Sequence, residues 1–451
     1  MIDTLLTGGS APASAALPAA APGAPDIVAI LPRQARTVRD TGLEPRFLAD
    51  LVLKAIHAGG KSPLALLAGK LRLAVGVLRE VLNPLIAEQL VEVAWCGESD
   101  IDMQYHLTHA GQRAAADALV RCRYLGPAPV TLADYRSVVE RQGLRHAARV
   151  TPAQLAAVLG EDGPAAGARA VLGAALHARR ALLLHGPSGS GKTQLARKLG
   201  RLLPGPIAVP YALMAGRQVL RLYDPALHLP PATQLRQEER RSCDARWTLC
   251  QRPLVHVGAA LGRDTLEPRH DADEGVWHAP PHLQANNGML VIDDVGRQRI
   301  PADELLNRLI APLDAGVDQL ALQGGQAEAL PFDVAVVFAT NLAPAALLDD
   351  AALRRIAYKA EIGALPADAY RALLRRQCRA RRIDVDEAAC DHLVDQLHRR
   401  GGRALLACWP GELLERIVDF AGFAGTEPRL TVAAVEQAWH SMFIGADGRS
   451  A

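Results

Sequence analysis

Residues 181–193 read ALLLHGPSGSGKT, and QLARKLGRLL follows. The apolar run Ala181 to Leu184 predicts a short buried strand, and the stretch after Thr193 predicts a helix. Between them, Gly186-Pro187-Ser188-Gly189-Ser190-Gly191-Lys192-Thr193 matches GxxxxGK[ST] with a strand before and a helix after. Glycines in such a loop let backbone N–H groups turn inward around phosphate oxygens, and the helix N-terminus adds partial positive charge. Lys192 is then placed to reach β- and γ-phosphates, and Thr193 to offer its hydroxyl to Mg²⁺. These eight residues are the candidate ligands of ATP. Gly60-Lys61-Ser62 shares the last three letters, but Ala55 stands where the first glycine is needed. It reads as a helix boundary.

Two further stretches extend the pattern. GMLVIDD (288–294) predicts a buried strand that delivers carboxylates to its C-terminal edge, Asp293 for Mg²⁺ and Asp294 for an attacking water. VAVVFATN (334–341) predicts another buried strand, with Asn341 placed to touch the γ-phosphate or the water and Thr340 second to it.

The chain has 451 residues and a mass of 48.1 kDa, which predicts two to four domains. With 49% apolar and 22% charged residues it is an ordinary globular composition, so global disorder is excluded. The net charge of +2 marks neither a general nucleic-acid binder nor a membrane-surface protein. Seven cysteines, with no CxxC or other metal spacing, predict reduced thiols in a cytoplasmic protein. No run of 18 apolar residues exists, so no membrane span is expected. No basic residue precedes Arg33, so no signal-peptide start is expected either.

Residues 1–32 read as a disordered Ala/Pro-rich tail. Residues 33–123 read as a winged helix-turn-helix-like domain. Its parts are a helix ended by Gly59-Gly60 and a second starting at Ser62-Pro63. A third covers 74–90, perturbed at Pro84, and a hairpin turns through GESDID before a last helix. Residues 124–165 read as a linker, 166–363 as an α/β core with a parallel sheet, and 364–451 as an all-helical domain without strands. The 101 positions between Lys192 and Asp293 leave room for inserted elements. PLVHVGAALGRDTLEPRHDADEGVWHAPPHLQANNG reads as hairpin-like extensions around DADEG, and VDQLALQGGQAEALPF as a hairpin turning at Gly324-Gly325. Trp277 and Tyr223 in these inserts read as core aromatics, with substrate gripping as the alternative.

The order phosphate loop, hhhhDD, strand-FATN, LRRI and helical lid resembles the AAA+ ATPases over roughly 166–445. The resemblance implies a P-loop NTPase core of parallel sheet with hairpin insertions, plus a helical lid. It implies ATP hydrolysis at the interfaces of a homo-oligomer, most often a hexameric ring. It also implies an arginine from one subunit completing its neighbour's site, and Arg354 or Arg355 in DDAALRRI holds that position. Two features depart from the pattern: Asp294 replaces the usual Glu, and Gly411 stands where the lid usually carries an arginine. Arg416 lies more than a turn later, so no lid sensor is assigned. These departures leave open a slow, nucleotide-gated scaffold. The phrases ANNGMLVIDDVGRQRIPADELLNR, LPFDVAVVFATN and LRRIAYKAEIG resemble a bacterial group of ATPases with chaperone activity associated with Flp pilus assembly. That implies a protein client, with pilus or secretion machinery as its context.

A winged helix raises DNA as an alternative partner. Residues 33–123 hold twelve basic and ten acidic residues, and the helix 74–90 carries Arg79, Glu80 and Glu88. The turn carries Glu98, Asp100 and Asp102. Phosphate neutralisation needs more positive charge than this, so protein docking is the favoured reading. The six arginines of 371–383 read as a solvated face with a subunit contact, with a nucleic-acid patch as the alternative.

Overall fold

The computed structural model describes residues 30–95, 103–160, 163–231, 242–322 and 327–443. Residues 1–29, the turn carrying Glu98, Asp100 and Asp102, and the Gly324-Gly325 turn lie outside them.

The core sheet has five strands: β1 (Leu182–His185), β2 (Leu254–Val257), β3 (Met289–Ile292), β4 (Ala335–Thr340) and β5 (Tyr358–Glu361). They lie in the order β2-β3-β4-β1-β5, and every pairing is parallel. Leu182 to Leu184 and all of β3 are at most 1% exposed. Helices cover both faces, which is why these strands are continuous apolar runs rather than alternating ones. Leu183, Leu290, Ile292 and Phe338 pack on the helix Ala302–Ala315. Leu182, Leu184, Val291 and Ala339 pack on the helices Ala166–Ala178 and Lys192–Gly200. Because the strands are parallel, β1, β3 and β4 present their C-terminal edges at one end of the sheet, where ligands of open α/β sheets bind.

Several expectations need correction. PLVHV is not part of a hairpin extension; it forms β2, the edge strand of the core. The DADEG turn does join two antiparallel strands, Arg269–Asp271 and Val276–His278. These belong to a second five-stranded sheet, completed by Gln218–Arg221, Ala212–Ala215 and Val130–Thr131. Residues 124–165 are therefore not a bare linker. They supply that last strand and the helices Leu132–Arg141 and Pro152–Leu159. Tyr135, Val138 and Val139 fall on one helical face and are buried against the inserted strands. The hairpin Val317–Ala321/Ala327–Pro331 is antiparallel.

In the N-terminal module, Ser62–Pro63 does not start a helix. It pairs as a third strand with Gln104–Leu107, which also pairs with Val91–Trp95. Pro63 is extended (φ −62°, ψ 144°), and the helix begins only at Leu64, whose N–H donates to Met103 O at 2.9 Å. The tail boundary also moves. Ile30 and Leu31 are buried, and Pro32 O accepts Asp244 N–H. In the lid, Asp384–Val385 pairs with Arg429–Leu430, so that domain does contain strands.

The module is packed against the inserts. Its core continues through Tyr124 and Ala128 into Ala212, Val219 and Val276. A buried ion pair closes the junction: Arg246 and Asp244 are 3% and 5% exposed and 2.7 Å apart. Arg246 Nη1 also donates to Thr41 O of the module and Pro129 O of the following segment, each at 3.0 Å. The arginine thus satisfies carbonyls from two stretches far apart in the chain. No helix among the described residues is long and apolar enough to cross a membrane.

Removing one partner of a buried pair leaves an uncompensated charge. Arg246→Ala should cost about 3–5 kcal/mol, read as a lowered unfolding midpoint. Arg246→Met combined with Asp244→Leu should recover only part of that loss, because the Thr41 and Pro129 carbonyls stay unpaired.

Candidate functional site

The phosphate loop leaves β1 at Gly186 and closes into the helix Lys192–Gly200. Gly186, Gly189 and Gly191 have φ of 138°, 80° and 91°. Side chains are strained in that region, and space excludes them as well. A Cβ at Gly186 would press into the Ile362 carbonyl, and one at Gly189 would collide with Cys408 Sγ. The loop is held as an open cradle by the absence of side chains.

Lys192 is 6% exposed, and its Nζ donates to Gly186 O (2.9 Å), Pro187 O (2.8 Å) and Ser190 Oγ (3.4 Å). Burial lowers its pKa from the usual lysine range, while Asp293 and Asp294 pull it back up. An ammonium held against a glycine-rich loop at a helix N-terminus suits an anion with several oxygens.

Thr193 Oγ1 donates to Asp293 Oδ2 at 2.5 Å. Asp293 sits just past β3, where its N–H donates to Val257 O at 2.8 Å and its Oδ1 accepts the N–H of Asp294 at 3.0 Å. A threonine hydroxyl beside a carboxylate is a hard oxygen pair, the donor type Mg²⁺ takes. Asp294 has φ +53°. Asn341, one residue past β4, donates from Nδ2 to Asp294 Oδ1 at 3.3 Å. Lys192, Thr193, Asp293, Asp294 and Asn341 are thereby joined by direct contacts or charge across three strand ends.

Thr340 is not available as a second sensor. It is 1% exposed and its hydroxyl donates to Val295 O at 2.8 Å, fixing the turn after Asp293. Arg354 and Arg355 end the short helix Asp350–Arg355, capped by Asp349, and both are exposed. Among the described residues neither has a hydrogen bond or ion pair, and neither joins the Lys192 cluster of its own chain. Gly411 lies in the helix Trp409–Ala424, where Arg416 donates back to Glu412 O at 2.9 Å.

Three features were not read from the sequence. His256, on β2, places Nε2 at 3.2 Å from Asp293 Oδ2. Cys408 of the lid donates its N–H to Gly189 O at 2.9 Å, so the lid rests on the phosphate loop. Asn286 and Asn287, in the ANNG phrase before β3, are 6% and 1% exposed. Asn286 bonds Tyr135 Oη and the Asp333 N–H, and Asn287 bonds Val139 O and Gln142. They pin β3 to the helix Leu132–Arg141. Tyr223 packs on Tyr211 and His228, and Trp277 on His270, as core aromatics do.

Most members of two other clusters are engaged by neighbouring groups. Asp271, Glu274 and His278 bring ligand atoms within 4.8 Å of one another. Glu274 is already paired with Arg221 at 2.5 Å, and Asp271 Oδ1 accepts the N–H groups of Asp273 and Glu274. In the arginine-rich helix Ala367–Arg381, Arg371 is paired with Asp391 and Asp395, and Arg375 with Glu387.

The parallel order β2-β3-β4-β1-β5, with a phosphate loop after β1 and acids after β3, decides the fold. The core is an α/β P-loop fold.

A family model described as a domain of unknown function (DUF8689) matches residues 366–441, the lid. No curated protein matches the chain. Among solved structures, the chain is similar to the RuvB Holliday junction branch migration motor of Thermotoga maritima. The identity is 16% over 63% of this chain and 71% of that one, with a TM-score of 0.35. It is also similar to NtrX from Brucella abortus in complex with ATP, at 14% identity over 61% of this chain and 55% of that one, with a TM-score of 0.37.

Left-handed backbone costs an L residue about 1–2 kcal/mol, with Asp and Asn the better tolerated and Gly free of it. Thermal unfolding should therefore rank Asp294→Gly at or above the wild type and Asp294→Ala below it. An alanine variant as stable as the wild type would show that this backbone is not imposed.

Proposed function

We propose that the chain is a Mg²⁺-ATP-dependent AAA+ ATPase that hydrolyses ATP between subunits of a homo-oligomer and remodels a protein partner. The observation that carries this reading is the convergence of Lys192, Thr193, Asp293, Asp294 and Asn341 at the C-terminal ends of β1, β3 and β4. Gly186 to Gly191 and Lys192 bind the β- and γ-phosphates. Thr193 and Asp293 hold Mg²⁺, which when bound neutralises phosphate charge. Asp294 orients the attacking water and accepts its proton, and Asn341 holds the Asp294 carboxylate in place. Arg354 or Arg355, exposed and without a partner among the described residues, serves the neighbouring subunit. The lid contact at Gly189 ties phosphate occupancy to movement of the helix Trp409–Ala424.

The client reading has its own support. The exposed side of the helix Val75–Ala87 offers Glu80, Asn83 and Ala87 rather than a basic stripe, and Glu80 is engaged by the Val38 N–H at 2.7 Å. Val93 and Trp95 of the adjoining strand are 46% and 54% exposed. An acidic and apolar surface favours a protein over DNA. The pilus or secretion context, and action in the cytoplasm, rest only on the resemblance of the quoted phrases and on composition. A slower second reading, a nucleotide-gated scaffold, is favoured by the short Asp294 side chain and by Gly411.

Complementation tests the interface. Lys192→Ala and the double variant Arg354→Ala/Arg355→Ala should each abolish turnover, the arginine loss costing about 10³–10⁵ in rate. Mixing the two should restore about a quarter of wild-type turnover, the random-mixing expectation for head-to-tail interfaces. No recovery would remove the trans-acting arginine, and no wild-type hydrolysis would leave the scaffold. Stimulation by duplex DNA that fades with salt would move the partner from protein to DNA.

A further inference from the structure

We propose that His256 is a positioning residue for the divalent-cation site at Thr193 and Asp293; this rests on the nucleotide reading above. His256 lies on the edge strand β2, opposite Val291 of β3, and Val257 lies opposite Ile292. The ladder runs one residue further, because the Asp293 N–H donates to Val257 O at 2.8 Å. That extra bond holds Asp293 beside β2. It brings Asp293 Oδ2 to 3.2 Å from His256 Nε2. A carboxylate oxygen only accepts, so the imidazole acts here as the donor, with its proton on Nε2.

The carboxylate is then gripped from three sides. Oδ2 accepts from Thr193 Oγ1 and from His256, and Oδ1 accepts the Asp294 N–H. Two ionised oxygens offer about four lone-pair sites in all, so three donors fix the rotamer and leave capacity for a cation. The threonine hydroxyl and the Asp294 amide are parts of the loop and strand end themselves. His256 is the one side chain in this set that comes from β2. Without it, Asp293 keeps its backbone position but loses the donor that sets its side-chain angle.

Partners that orient metal ligands in this way are commonly worth about 10–100-fold in metal affinity. A solvent-lining edge histidine would be worth nothing there. The two roles separate in Mg²⁺ dependence, not in nucleotide binding as such.

The test uses the full chain as wild type, His256→Ala, His256→Gln and Thr193→Ala. A fluorescent ADP is titrated in EDTA and again across a Mg²⁺ series, with thermal unfolding as the control for folding. The expected result is an unchanged affinity in EDTA and an unchanged unfolding midpoint for His256→Ala. Its half-saturating Mg²⁺ should rise about tenfold or more. His256→Gln, which keeps an N–H donor at similar reach, should recover most of that shift. The inference is overturned if His256→Ala and wild type share one Mg²⁺ half-saturation while Thr193→Ala loses Mg²⁺ dependence. If the wild type binds no nucleotide at all, the nucleotide reading itself fails, and this inference goes with it.

Discussion

The contact between Thr193 Oγ1 and Asp293 Oδ2 ties the start of one helix to the end of a strand about a hundred residues later. A half-buried hydroxyl and a buried carboxylate meet only if the two parent elements are held in one relative position. Most of the core serves that constraint. Parallel pairing across β3, β4 and β1 sets the elements side by side, and the fully buried runs of β1 and β3 keep them from slipping. The Asn286-Asn287 pair anchors the entry to β3 through side-chain hydrogen bonds to two other segments, 135–142 and 331–333. The glycines of the phosphate loop then bring backbone amides where any side chain would collide.

Around this centre the other domains are coupled in different ways. The N-terminal module shares a continuous apolar core with the inserted sheet, and the buried Arg246 satisfies carbonyls on both sides. A shared apolar core and a buried charge pair join them. The lid touches the phosphate loop through little more than the Cys408 N–H and the side chains around it. A small polar contact of this kind is easily exchanged, as the proposed nucleotide response of the lid requires.

Much of this was legible in the sequence, and the illegible parts share a cause. The phosphate loop, β1, β3 and β4 are local signals: apolar runs four to six residues long ended by Gly, Asp or Asn. The candidacy of Lys192 likewise rests on its immediate neighbours in the chain. His256 was missed because its partner lies 37 positions away, across a parallel register that no local pattern encodes. Val130–Thr131 and Ser62–Pro63 were missed for the same reason, since two-residue strands exist only through their pairing. The helix Leu132–Arg141 was hidden inside a proline-bearing stretch, although Tyr135, Val138 and Val139 carry a helical spacing. The arginine-rich lid helix looks like a charged face in sequence. Its neutralising acids, Glu387, Asp391 and Asp395, come from the next helical turns.

The central claim is that the loop at Lys192 and the acids after β3 form one nucleotide site. Equilibrium titration of fluorescent Mg²⁺-ADP against the full chain and against Lys192→Ala tests it most directly. Saturable binding to the wild type is expected, weakened about 10–150-fold by loss of the ammonium, the range for hydrogen bonds to a charged group. Equal affinities, or no binding to the folded wild type, would contradict it.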